Sequence, residues 1–351
     1  MPDPFEFVKA AIASAVASAL LIIGCRVLMG ERAKLFSDVC CVMALGAGLW
    51  TGYYALEFSW IWSPANALNR FLTIVLPASL LVELLAALAA ASHNVFHATR
   101  DEHKTVDQAQ SSLQLFRSGS RMVMIARFLL FAFAARILLH GSVYLNEASD
   151  DGWSKAKQLT ILLVAVLALL STWFALTRLS RRASPINIVF SLSLAIVSAG
   201  CSTMMAGYIQ GGRAALPLAA ALLGVAFTSQ LLVCSGPAGG TQCRPDLVLS
   251  GTIGVGLIGL FGLLWIGRFF GQLSNANATV MFVAPMLCWT GELPLFPTKT
   301  AKQKKVICLI AVAIPLAIVL WIAKSEFDRK MGPLLADALI PDVLSARGFA
   351  E

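Results

Sequence analysis

Ten stretches of predominantly apolar residues divide the chain, and they restrict its fold more than any other feature of the sequence. Each is close to the roughly 20 residues that an α-helix needs to cross the hydrocarbon core of a bilayer. A helix satisfies its backbone hydrogen bonds internally, as lipid requires, and the stretches lack the alternating pattern of a transmembrane β-barrel. We therefore predict an all-α, polytopic transmembrane helix bundle. Its predicted spans are Phe7–Met29, Val39–Leu56, Phe71–Ser92, Met122–Tyr144, Leu159–Leu176, Ile186–Ile209, Ala214–Cys234, Leu247–Ile266, Ala278–Leu293 and Val306–Ala323.

Charged residues are scarce in this chain of 351 residues. Asp, Glu, Lys and Arg make up 13% of it and hydrophobic residues 58%, whereas a soluble protein carries about 25% charged residues. This composition excludes a disordered chain, a coiled coil and an ordinary water-soluble enzyme. The net charge of +8 does not indicate a nucleic-acid partner, because no basic stripe alternates with stacking aromatic residues on a soluble domain. Membrane lipids are the expected surroundings.

The Lys and Arg residues of the loops predict an orientation, because cytoplasmic loops carry an excess of them. If the N-terminus lies outside, the loops that face the cytoplasm hold most of these residues. Asp3 and Glu6 precede the first span and have the wrong charge for a cleaved signal peptide, so we expect that span to be retained. We therefore expect an integral protein of the bacterial cytoplasmic (inner) membrane with its N-terminus outside.

The division of the chain follows from these spans. We expect a single transmembrane helical domain over residues 1–323, with a cytoplasmic helical loop at 92–121, and a short amphipathic C-terminal tail at 324–351. The ninth stretch, Ala278–Leu293, is short and contains Pro285. If that stretch is re-entrant, the spans number nine.

Small residues recur on single helix faces in the C-terminal half of the chain. Gly256, Gly259 and Gly262 are an example, at intervals of three residues. Small residues let helix backbones approach closely within lipid. These faces predict packing inside the bundle; the alternative is a contact with a second copy of the chain or with another protein.

Four ionisable residues fall inside predicted spans, where such groups are costly and mark a functional site by default. They are Glu83 in the third span and Arg127, Arg136 and His140 in the fourth. Arg136 and His140 share a helix face at a spacing of four residues, whereas Arg127 lies about two and a half turns from Arg136, on the opposite face. We therefore expect Arg136 to be the better partner for Glu83 if His140 also faces the cavity of the bundle. This set predicts a charged transport site; the alternative is a buried ion pair that only fixes helix register, with Arg127 extended toward the cytoplasmic interface.

A second cluster, His93, His97 and Asp101, is a weak candidate for a metal site. Its members share one helix face, and the two histidines have the spacing of a two-histidine site. The alternative is the solvated surface of a cytoplasmic helix, since a clear fourth ligand is missing and the neighbouring residues are charged. No C-x-x-C pair occurs among the eight cysteines, and a Cys234–Cys243 bridge is not expected in the reducing cytoplasm. We expect neither a metal nor a cofactor.

Several classes of membrane enzyme are excluded by their motifs. The chain has no H-E-x-x-H sequence and no P-loop, and its four histidines are too few for the histidine boxes of a desaturase. We therefore expect a protein that is not an enzyme. Permease-like transport of a small solute or ion through the bundle, at Glu83, Arg136 and His140, is the favoured function. The alternative is a non-catalytic membrane anchor, assembly or sensor subunit that binds a partner through the loop at 92–121.

Overall fold

The computed structural model describes residues 4–30, 36–58, 64, 66–100, 107–146, 152–234, 249–292 and 301–347, and every regular element in these ranges is helical. Within them, the side chains of residues 4, 93–100, 107–121, 233–234, 301–302 and 331–347 are not described. The α-helices in this part of the chain are α1 (Pro4–Met29), α2 (Ser37–Ala55), α3 (Ala67–Arg70), α4 (Leu76–Arg100), α5 (Asp107–Leu139), α6 (Lys155–Ser180), α7 (Pro185–Met205), α8 (Ile209–Cys234), α9 (Ser250–Phe269), α10 (Asn275–Val283) and α11 (Ala301–Arg347). Other helical elements are a π-helical segment at Phe71–Val75 and 3₁₀ segments at Val143–Leu145 and Ala284–Glu292.

Eight helices among the described residues are long and apolar enough to cross a membrane. One of them combines three elements, because α3 continues through the π-helical segment directly into α4. Large apolar side chains such as Leu163 on α6 and Ile314 on α11 are exposed on the outside of the bundle, as expected where lipid takes the place of water. These findings confirm the prediction of an all-α, polytopic helix bundle.

Helix α2 is less apolar than these eight, yet it also runs the depth of the bundle. Near its start, Asp38 accepts a hydrogen bond from Ser250 at the start of α9. Near its end, the Tyr53 hydroxyl donates to the carbonyl of Ala214 near the start of α8, at 3.0 Å. Helices α8 and α9 pack antiparallel, so their starts lie at opposite ends of the bundle. The second predicted span therefore reaches from one end to the other.

The predicted span at Ala278–Leu293 is built from α10 and the 3₁₀ segment that follows it. Lys330 donates to the Gln272 side chain at 2.8 Å just before α10, and the Cys308 thiol donates to the Cys288 carbonyl at 3.3 Å near the end of the 3₁₀ segment. These contacts lie at opposite ends of the span that α11 forms, so the segment does not turn back as a re-entrant loop. A 3₁₀-helix rises about 2.0 Å per residue, and the two elements together reach about 31 Å, the thickness of the hydrocarbon core.

Helix α9 is the central helix of the bundle, and 89% of its most apolar stretch of 18 residues is buried. Its glycines allow the neighbouring helices to approach. A Cβ on Gly262 would collide with the ring of Phe71, and a Cβ on Gly259 would collide with Leu218 on α8. Gly256 is equally buried, with α7 and α8 side chains 3.3 Å from its Cβ position. These three glycines are therefore used for packing inside the bundle.

Candidate functional site

A buried ion pair joins α4 and α5. The Arg127 guanidinium donates to both carboxylate oxygens of Glu83, through Nε to Oε1 at 3.0 Å and through Nη2 to Oε2. Only 2% of the Glu83 side chain and 14% of the Arg127 side chain are exposed. The Arg127 Cζ atom also lies 5.3 Å from the ring centroid of Trp173 on α6, within the range of cation–π attraction. The pair therefore links three helices, with a two-pronged geometry that a lysine could not reproduce.

The structure corrects the predicted pairing of Glu83 with Arg136. Arg136 is exposed on the outside of α5, whereas Arg127 lies on the same face as Phe131 and Leu138, which are fully buried. Residues spaced by four and then seven positions share one side of a helix. The opposite face, with Leu129 and Phe133 beside Arg136, is equally apolar but exposed, so the sequence does not show which face is turned inward. The prediction is wrong because it chose the arginine that shares a face with a histidine, and not the one that shares a face with buried apolar residues.

A second carboxylate, Asp38, lies beside this pair at the start of α2. Asp38 is 9% exposed, and it accepts hydrogen bonds from the Ser250 hydroxyl at 2.8 Å and from the Gly251 backbone N–H at 3.3 Å. It thereby caps the N-terminus of α9, where the helix dipole stabilises a negative charge. Asp38 was not among the predicted site residues, because it stands one residue before the predicted span Val39–Leu56. The sequence feature that could have identified it is an acidic residue directly next to a long apolar stretch.

The two carboxylates approach α9 along its glycine face. A Cβ built on Gly251 would stand 3.5 Å from both Asp38 Oδ1 and Glu83 Cβ. A Cβ built on Gly254 would stand 2.6 Å from Glu83 Cδ, closer than two carbon atoms can pack. The space that a larger residue would occupy at position 254 is filled by the Glu83 carboxylate. We call Asp38, Glu83 and Arg127, together with this glycine face, the charge cluster.

A cavity of about 760 Å³, lined by both polar and apolar side chains, lies at the other end of α9. The ends of several helices surround it, and its ionisable lining residues are Glu57, Arg70, His140, Tyr208 and Arg213. Burial raises the pKa of the Tyr208 phenol above its ordinary value. About 24 Å of helix, at 1.5 Å per residue, separates Gly254 in the charge cluster from Phe270 in the cavity wall.

The four ionisable residues that were predicted to form one site are therefore divided. Glu83 and Arg127 belong to the charge cluster, whereas His140 lines the cavity. Arg70 also lines the cavity, and its guanidinium donates to the backbone carbonyls of Leu138, at 3.5 Å, and of His140. The cavity could not be predicted from the sequence, because residues from five separate helix ends form it and no sequence spacing brings those ends together.

The predicted metal candidates cannot be compared with the structure. His93 and His97 lie on α4, but their side chains, like the whole of Asp101, lie outside the described residues. The same holds for the Cys234 side chain and for Cys243. Within the described ranges, no group of three or more His, Cys, Asp or Glu side chains is placed to hold a metal ion.

The chain was also compared with known proteins. No model of a protein family, no curated protein and no solved structure matches it significantly.

Proposed function

We propose that the protein is a permease that moves a small solute or ion through the helix bundle, in the cytoplasmic membrane of a bacterium. One observation carries the proposal: a single buried helix, α9, has an open cavity at one end and a buried ion pair with a second carboxylate at the other. A transporter that works by alternating access is open at one end and closed at the other in each of its two main states. The open cavity and the buried charges at opposite ends of α9 match one such state. We propose transport and not catalysis.

The charge cluster suits the role of a closed gate. Its contacts are hydrogen bonds and an ion pair between side chains of α2, α4, α5 and the start of α9. Such contacts have discrete broken and formed states, because water can replace each partner once the gate hydrates. Helix α9 presents glycines to its neighbours there, which lets α4 and its Glu83 carboxylate approach α9 closely.

A purely structural ion pair is the competing interpretation, and a double substitution separates the two. Glu83→Gln leaves the Arg127 guanidinium buried without its counter-charge, and losing one partner of a buried pair costs about 3–5 kcal/mol. That variant therefore risks poor folding for reasons unrelated to transport. Glu83→Met combined with Arg127→Met replaces both charged groups with apolar side chains of similar volume, a change that is often neutral or stabilising.

The experiment is a flux measurement in reconstituted liposomes. Light scattering follows the entry of isosmotic inorganic salts, organic acids and neutral sugars into vesicles with and without the protein. We expect at least one solute to enter faster with the wild-type protein, and we expect the double variant to fold but to lose this flux. Asp328→Asn, which removes an exposed carboxylate paired with Lys324 on α11, is the matched control and should retain it.

One result would contradict the permease function, and a second would contradict the role of the charge cluster as a gate. If none of the solutes enters faster than into empty vesicles, the chain does not act as a permease for these classes of solute. If the double variant transports at the wild-type rate, the charge cluster only fixes helix register. Retention of a co-purifying protein through the loop at 92–121, in the absence of flux, would instead favour the anchor or sensor subunit.

A further inference from the structure

We propose that the cavity at the end of α9 binds a small organic carboxylate. The inference that this carboxylate is the transported solute rests on the proposed transport function. The inference that the cavity binds a carboxylate does not depend on transport. The cavity is defined by the helix ends that surround it, and its volume of about 760 Å³ falls within the range of about 300–1,000 Å³ that is usual for small-molecule sites.

The charges of the cavity favour an anion. Arg70 lines it from the end of α3 and Arg213 from the first turns of α8. The Arg213 side chain is only 16% exposed, whereas the one lining carboxylate among the described residues, Glu57, is exposed to solvent. Water screens an exposed charge much more strongly than a buried one. The guanidinium groups therefore outweigh the carboxylate in the potential inside the cavity.

Both guanidinium groups are held in place before any ligand arrives. The Arg70 group donates to carbonyls at the end of α5. The Arg213 group lies with its Cζ 5.4 Å from the ring centroid of Phe7, and its contact with Glu6 is loose, at 3.7 Å with Glu6 half exposed. Preorganised groups lose little side-chain entropy when a ligand binds. Arg213 Nε is also buried without a hydrogen-bond partner among the described residues.

The apolar part of the lining favours an organic anion over an inorganic one. Leu56, Phe58 and Phe270 line the cavity together with the polar groups. Phe58 is positioned by the end of α2, where its backbone N–H donates to the Tyr53 carbonyl at 3.2 Å and its ring packs edge-on against the Tyr53 ring. Guanidinium groups beside aromatic and aliphatic walls match a carboxylate on an apolar body.

A substitution of Glu57 provides a test whose expected result, tighter binding, cannot arise from damaged folding. It occupies the left-handed region with φ 53°, within a C-terminal turn of α2 in which Glu57 N–H donates to the Tyr54 carbonyl at 3.0 Å. Replacing this carboxylate with the neutral Glu57→Gln side chain removes repulsion at the rim. We expect benzoate to bind more tightly, by about 1.5- to 5-fold, the range for exposed charge pairs.

The measurement is isothermal titration of the purified full chain in detergent micelles with benzoate, its neutral isostere benzamide and inorganic phosphate. We expect benzoate to bind more tightly than both, and Arg213→Gln to weaken benzoate by at least about tenfold, as loss of a charged hydrogen bond does. Arg268→Gln is the control, because Arg268 lies at the same end and donates to Asn275 but does not line the cavity.

The outcomes separate this inference from the transport proposal. Equal binding of benzamide and benzoate, stronger binding of phosphate than of benzoate, or an unchanged or weaker affinity in Glu57→Gln would overturn it. If benzoate binds as expected while no solute crosses the membrane, the cavity is a carboxylate site and the permease proposal is wrong. If solutes cross the membrane without benzoate binding, the permease proposal stands and the assigned ligand class is wrong.

Discussion

The substitution Gly254→Ala tests whether α9 and the Glu83 carboxylate are packed as tightly as the structure indicates. A Cβ at this position would lie 2.6 Å from Glu83 Cδ and 3.2 Å from Glu83 Cγ. The carboxylate cannot simply move aside, because Arg127 holds both of its oxygens. The added methyl group must therefore push α4 away from α9 or break at least one hydrogen bond of the pair.

The magnitude follows from these two responses. Overpacking a filled core costs about 1–3 kcal/mol, and loss of a hydrogen bond between charged groups costs about 1.5–3 kcal/mol. Alanine is favoured over glycine within a helix by about 1 kcal/mol, which offsets part of the loss. After this offset, we expect Gly254→Ala to lower the free energy of unfolding by about 0.5–2 kcal/mol if only the hydrogen bond breaks, and by about 1.5–5 kcal/mol if α4 is displaced as well.

Gly24→Ala on α1 is the matched control. Gly24 is also helical, but nothing lies within 4 Å of its Cβ position, so only the helix preference remains. We expect that variant to gain up to about 1 kcal/mol of stability. The assay is reversible unfolding of the purified protein in mixed micelles of a mild detergent and SDS.

The same assay isolates the contact with Glu83. In a background that carries Glu83→Ala and Arg127→Met, the space beside position 254 is open. Residues in contact show coupling of about 0.5–3 kcal/mol, so we expect the loss caused by Gly254→Ala to shrink by that amount in this background. A loss that is equally large in both backgrounds, or no loss in the wild-type chain, would refute the close approach of α9 and α4.

Three further substitutions test the helix ends. Asp38→Ala leaves the Ser250 hydroxyl and the Gly251 N–H without their acceptor, so unfolding should become easier by about 1–3 kcal/mol; an unchanged stability would contradict the capping role. Glu57 and Gly207 both have positive φ, at 53° and 88°, and the left-handed conformation costs an L-residue about 1–2 kcal/mol. In the same unfolding assay Glu57→Gly should therefore stabilise the protein. Gly207→Ala should destabilise it, although its Cβ would meet no atom within 4 Å. If both substitutions changed the free energy of unfolding in the same direction, the cost assigned to the left-handed conformation would be wrong.

The helical class of the fold could be derived from the sequence because the physical cause is local. An apolar stretch of sufficient length in lipid must satisfy its own backbone hydrogen bonds, and only a helix does so within one segment. The same reasoning identified Glu83 as unusual, since the depth of a residue in its span can be counted along the chain. The short stretch at Ala278–Leu293 remained ambiguous, because its reach depends on whether it forms an α-helix or a longer-rising 3₁₀-helix.

Pairings between distant residues were decided only by the tertiary structure. The choice between Arg127 and Arg136 depends on which face of α5 is turned toward α4, and contacts across the whole bundle determine that rotation. Asp38 gains its place in the charge cluster only because α2 and α9 begin at the same end of the bundle.

The cavity depends even more strongly on the tertiary arrangement, since its lining comes from helix ends that are far apart in the chain. Helix formation is encoded by residues a few positions apart, so the sequence alone determined which segments are helices and how deep a charged residue lies. The site arises where separate helices meet. Their rotations and ends are fixed by packing between small residues such as Gly254 and the side chains they admit.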